Sequence, residues 1–190
     1  MKHAASRELY AYWEERRGTR PAPERSEIEP GAIRGVLGDA FILALERTAG
    51  YPLRLAGTRV CALFGRELKG QSFTTLWAQE NRSVVSSLLA ILADERVGTV
   101  AGVTAQNGAG DEINLELLLL PLGATRPSLA RVIGILAPLK VPPWLGQSPI
   151  GELTLGSRRH LGASVDKRLL PRLMARRGLG NLIVHQGGRS

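Results

Sequence analysis

The chain has 190 residues, 44% of them hydrophobic, 22% charged and only 5% aromatic, which suits one globular domain with an appendage and a core built mainly from Leu, Val, Ile and Ala. The formal net charge of +8 is uneven, with +1 on residues 1–139 and +7 on residues 140–190, so a near-neutral body precedes a basic tail. No run approaches the ~20 apolar residues of a membrane span, no apolar leader core follows the polar start MKHAASRELY, and the lone Cys61 excludes an internal disulfide, compatible with a reducing cytoplasm.

Ser6 to Arg17 reads as a helix capped by Ser6, with Leu9, Tyr12 and Trp13 as a short stripe that packs on its own domain. Arg20 to Pro30 holds three prolines and is expected to be an extended connector that tucks Ile28 into the core. Gly31 to Gly38 predicts a short helix bearing Ile33, Val36 and Leu37. Ala40 to Arg47 predicts a strand with Phe41, Leu43 and Leu45 on one face. The turn at Ala49-Gly50 pairs it antiparallel with Pro52 to Ala56, where Leu53 and Leu55 share a face opposite Arg54. Thr58 then caps a helical turn with Val60, Leu63 and Phe64 at i, i+3 and i+4, and Gly65 stops it. Phe73, Leu76 and Trp77 make a second apolar turn. A strand and two tiny helices jointed by glycines wrap a bowl rather than a long flat element.

Gln79 to Arg96 predicts the longest helix, lined by Val85, Leu88, Leu89 and Leu92 and lacking histidine. Gly98 to Gln106 and Glu112 to Leu122 read as strands around Asn107-Gly108 turn chemistry. Ile113, Leu115, Leu117 and Leu119 face one way, and the lapse of polar alternation at Leu118 and Leu120 implies cover on both sides. Leu129 to Leu139 is the last expected strand. Beyond Lys140 the chain turns Pro-, Gly- and Ser-rich and reads as an arm anchored by Trp144, Leu153 or Leu155. Ser164 to Arg177 has an apolar helical stripe opposite a basic face, interrupted by Pro171. The organisation is thus 1–30 helix and connector, 31–139 core, 140–190 basic extension. Strand-rich ends around a helical middle exclude a doubly wound parallel sheet and predict an α+β fold.

The run RLAGTRVCALFGRELKGQSFTTLW, with Tyr12-Trp13, Arg17-Gly18, Pro23-x-Arg25 and Ile28-x-Pro30 upstream, resembles the signature of a family of short stand-alone PAS-like proteins of alphaproteobacteria, formerly a domain of unknown function. The resemblance spans about residues 6 to 138. It implies a PAS-like five-stranded antiparallel sheet with helices over one face, an N-terminal flanking helix and a basic C-terminal extension. It also implies a second use for Leu9, Tyr12 and Trp13, as the interface of a homodimer.

No catalytic constellation stands out. His3, His160 and His185 have no metal-motif spacing, and Asp39, Glu46 and Asp111 lie at strand ends without forming an acid–base pair. Cys61, in the context Arg59-Val60-Cys61-Ala62, lacks the Asn-Cys-Arg-Phe-type setting of flavin-bonding PAS relatives and reads as a buried apolar thiol. Flavin is therefore disfavoured, and so is haem, whose PAS hosts usually offer an axial histidine from the long helix. Leu55, Phe64, Phe73, Trp77, Leu88, Leu92 and Leu117 either enclose a small apolar cavity for an unidentified ligand or simply fill it. Arg54 and Arg59 flank this bowl, to meet an anion or to pair with carboxylates such as Glu67 or Glu46. Lys167, Arg168, Arg172, Arg176 and Arg177 make the tail a solvated extension, an amphipathic contact for a partner or an anionic surface, or a non-specific nucleic-acid contact.

The expectation is a cytoplasmic sensory or regulatory module, not an enzyme, that receives a ligand or a protein partner in signalling and transmits through a protein interface. The alternative is a basic-tailed nucleic-acid-binding protein with the core as dimer scaffold.

Overall fold

The run Ala40-Phe41-Ile42-Leu43-Ala44 is buried at all positions, the mark of a strand covered on both faces. A computed structural model describes residues 1–123 and 130–161 and places this run one strand in from the edge of a six-stranded sheet. The elements are α1 (Ala4–Arg17), β1 (Ala40–Ala44), β2 (Leu53–Ala56), α2 (Thr58–Phe64), α3 (Gln79–Glu95), β3 (Gly98–Gln106), β4 (Glu112–Leu122), β5 (Arg131–Pro138) and β6 (Thr154–Leu161). The strand order is β2-β1-β5-β4-β3-β6, and every neighbouring pair is antiparallel.

The five strands expected from sequence are present, and β6 is the sixth. It lies in the stretch read as a tethered arm, so the sheet continues past residue 139. Its composition, with Gly156, Ser157 and paired arginines, hides it from propensity, and its register slips between Ala101 and Val103. What makes it a strand is a partner: without it β3 would be an unpaired edge. Leu153, fully buried, and Leu155, packed on the core, anchor it as the apolar pattern implied.

One face of the sheet carries α2, the 3-10 turn Phe73–Leu76 and α3. These pack on Phe41 and Leu43 of β1, Leu115, Leu117 and Leu119 of β4, and Val132 and Leu136 of β5. The other face carries α1 and two 3-10 turns, Pro30–Ile33 and Leu37–Asp39, where a single short helix was expected. They pack on Ile42, Leu118, Leu120, Leu122, Ile133 and Ile135. This second layer is the cover that Leu118 and Leu120 called for.

α1 begins two residues earlier than Ser6 and is capped by His3, whose side chain accepts the Ala5 amide at 3.2 Å. Ser6 is buried inside the first turn. Glu116, on β4, accepts the amides of Lys2 at 2.6 Å and His3 at 3.0 Å, placing a carboxylate where helix amides are unpaired and the dipole is positive. Leu9 is 0% and Trp13 2% exposed, and the Trp13 indole donates to the Pro121 carbonyl at 2.8 Å. The Tyr12 hydroxyl donates to the Glu27 carbonyl and accepts the Glu29 amide. Leu9 and Trp13 thus pack on their own chain, against the apolar outer face of β4 and β5.

The helix expected over Ser164 to Arg177, with Lys167, Arg168, Arg172, Arg176 and Arg177, lies outside the described residues. Among the described residues no helix is long and apolar enough to cross a membrane.

Candidate functional site

The bowl forms where the chain leaves β2. Gly57 is the N-cap of α2 in place of the expected Thr58, and no side chain caps the helix. A Cβ at Gly57 would stand 2.1 Å from the Leu37 carbonyl oxygen, so the crossing of two backbones, not cap chemistry, selects the residue. Val60, Leu63 and Phe64 turn inward as their spacing predicts, and Gly65 is the C-cap. The next turn brings Phe73 into a stack with Phe41 at 5.5 Å and an edge contact with Trp77 at 5.7 Å between centroids, both favourable aromatic geometries.

α3 starts under a clamp from the β6 approach. The Ala78 amide donates to the Leu153 carbonyl, Arg82 Nε donates to the Trp77 carbonyl at 2.8 Å, and Arg82 pairs with Glu152 at 2.9 Å. Asn81 Oδ1 accepts the Leu155 amide. On the other side of the helix the Tyr51 hydroxyl donates to the Ser86 carbonyl at 3.1 Å. Tyr51 was not singled out by sequence, and its left-handed φ of 58° has no signature in a tyrosine.

Six of the seven apolar candidates, Phe64, Phe73, Trp77, Leu88, Leu92 and Leu117, meet in one buried cluster. Inside it the Trp77 side chain is 0% exposed and its indole nitrogen has no hydrogen-bond partner among the described residues. A buried donor left unpaired forfeits about 1–3 kcal/mol. Cys61 is buried as expected, its thiol 3.8 Å from a Glu67 carboxylate oxygen and 3.9 Å from the Ala56 carbonyl.

Leu55 is the exception. Leu43 pairs with Leu53 and Ile42 with Leu55, so Arg54 is an extra residue in β2. Such a bulge reverses the side-chain alternation. Leu55 therefore joins Ile42 on the opposite face, in an apolar groove with Ile28, Ile33 and Ile133. The two arginines pair with carboxylates of the chain. Arg54 pairs with Glu46 at 2.6 Å. Arg59 pairs through both nitrogens with Asp39, at 2.8 and 2.7 Å, rather than with Glu67, and that hydrogen bonding holds its pKa above the ordinary value. The groove residues Ile33 and Ile42 were not expected as site residues. The unbroken apolar run of β1 was the one available signal for them, since it demands a second packed face.

Among the described residues no group of three His, Cys, Asp or Glu side chains could hold a metal ion. A six-stranded antiparallel sheet with a helical layer on one face and a flanking helix on the other has the architecture of a PAS-type α+β domain. The chain belongs to the PAS domain family, whose model matches residues 1–137. A comparison with curated proteins finds no match. Among solved structures the chain is similar to the Rhodobacter sphaeroides LOV protein, at 14% identity over 58% of this chain and 66% of that one, with a TM-score of 0.44. It is also similar to a light-oxygen-voltage domain whose mechanism was studied with a flavin analogue, at 14% identity over 62% and 87% of the two chains, TM-score 0.45. A third is the PAS domain of an HTR-like protein from Haloarcula marismortui, at 18% identity over 57% and 89%, TM-score 0.41.

Proposed function

We propose that this chain is a sensory or regulatory PAS module that receives a small molecule in the bowl and passes the signal to a protein partner without chemical turnover. The observation that carries the reading is the Trp77 indole N–H, sealed in an apolar cluster with no acceptor among the described residues. A ligand that brings one acceptor and an otherwise apolar body satisfies that donor and keeps the rest of the lining dry. Trp77 sits at the start of α3, where Arg82, Asn81 and Leu153 tie the helix to β6. A ligand that fits only one arrangement of this junction shifts the balance between two conformations, which is all that signalling requires. The reading places the protein in the cytoplasm, with a second copy or another protein as recipient.

Flavin does not suit these residues. An isoalloxazine ring is edged with nitrogens and carbonyls that need polar partners when buried, and the bowl offers aromatic and leucine side chains with a single unpartnered indole. Cys61 directs its thiol toward Glu67 and Ala56. Haem coordinated from α3 is opposed by the absence of histidine in Gln79–Glu95.

Native mass spectrometry and visible absorption of the purified protein test the proposal. The expected result is a small-molecule mass retained by the wild type, lost in Trp77→Phe, and no flavin or haem band. A polypeptide-only mass under gentle conditions speaks against reception in the bowl, and a flavin band refutes the flavin-free reading.

A further inference from the structure

The outer face of the sheet holds a second concavity that the bowl does not share. It has a volume of about 320 Å³, with Ile42 and Ile133 beneath, Ile28 and Ile33 along one side and Leu55 along the other. Four of these five are buried, whereas Leu55 is 42% exposed. The β2 bulge puts Leu55 there, on the wall of the apolar groove. Arg25 is the one charged side chain among the lining residues. Arg20, Arg54 and Arg59 each hold a carboxylate, while Arg25 has no ion pair among the described residues.

We propose that this groove binds a medium-chain carboxylate, with its acyl chain against Leu55, Ile42 and Ile33 and its head group on the Arg25 guanidinium. Charge and size both select this class. One guanidinium balances a monoanion, and its planar fork matches two carboxylate oxygens. A phosphate monoester would bring close to two negative charges, about −1.5 to −2, and leave part of that charge uncompensated. A methylene fills about the space of a water molecule, ~30 Å³ in the liquid, so the groove takes a chain of roughly ten such groups and not a diacyl lipid. The proposal is independent of the bowl, which lies on the other side of the sheet.

Calorimetric titration of the full chain with decanoate, octanoate and decanol tests it. The expected result is saturable one-to-one binding, about fourfold tighter for each added methylene until the groove is full. Arg25→Gln weakens decanoate roughly tenfold, as losing a charge-assisted hydrogen bond does, and leaves decanol unchanged. Leu55→Asp removes binding of both, and Leu55→Ala, the milder change at an exposed position, weakens both. Trp77→Phe alters neither. The proposal is overturned by absence of saturable binding, by equal decanoate affinity in Arg25→Gln, or by loss of binding in Trp77→Phe with Leu55→Ala unaffected. Binding only to vesicles of anionic lipid would also overturn it, as would a concentration-dependent dimer broken by Leu55→Asp. Loss of binding in Trp77→Phe would put decanoate in the bowl instead, and the other outcomes leave the mass retained there untouched, so the two readings fail in distinguishable ways.

Discussion

Gly134 shows how narrowly single positions are determined here. Phe41 lies across it from the neighbouring strand, and a Cβ would stand 2.3 Å from the ring and 2.6 Å from the Leu118 carbonyl oxygen. Gly134→Ala is expected to push Phe41 off Phe73 and to lose about 1–3 kcal/mol, the usual range for overpacking. The check is the chemical-denaturation midpoint, and an unchanged midpoint would mean that the ring turns aside freely. His160 is legible only in three dimensions. Burial, and then the charge of Arg158, hold its imidazole below the ordinary 6.5, while Thr99 Oγ1 lies 3.0 Å from its Nδ1. As pH falls below about 6.5 the unfolded chain takes up the proton first, so stability declines until the folded pKa is passed. Thermal midpoints measured down through that window should fall in the wild type and flatten in His160→Gln.

α1 and β6 are the elements whose roles depend most on their neighbours. Glu116 is only 5% exposed. Burial by itself would raise its pKa, but hydrogen bonds from the Lys2 and His3 amides outweigh burial and hold it below the ordinary carboxylate value. Its contribution is therefore complete above about pH 4.5 and is lost as pH falls through the lower folded value. Glu116→Gln is expected to loosen the start of α1 and to destabilise by about 1.5–3 kcal/mol, the range for hydrogen bonds to a charged group. Amide exchange in α1 should rise while that of β4 is little changed. For β6, Leu153→Ala removes a fully buried side chain and should lower stability by about 2–5 kcal/mol. An unchanged stability would mean that the chain after residue 139 lies loosely over the surface and is not part of the core.

A sheet packed on both faces has consequences for assembly. Leu9 and Trp13 spend their apolar surface within the chain, so Trp13→Ala should lower the thermal midpoint by an amount that does not depend on protein concentration. The expected loss is about 3–5 kcal/mol. A midpoint that becomes concentration-dependent would reveal a dimer held by this helix. The amino-acid order by itself determined the alternation of strand and helix, because the period of 3.6 is local and clear in α2 and α3 and a period of two runs along one face of β4 from Ile113 to Leu119. It determined which side chains of the bowl point inward for the same reason, from Phe64 to Leu117. Only the tertiary structure decided the sixth strand, since Thr154–Leu161 is a strand by virtue of the β3 edge it completes. Only it decided the side to which Leu55 turns, because one extra residue inverts a period of two. Only it decided that Arg59 belongs to Asp39, for ion pairs form between neighbours in space, and 20 positions separate these two along the chain.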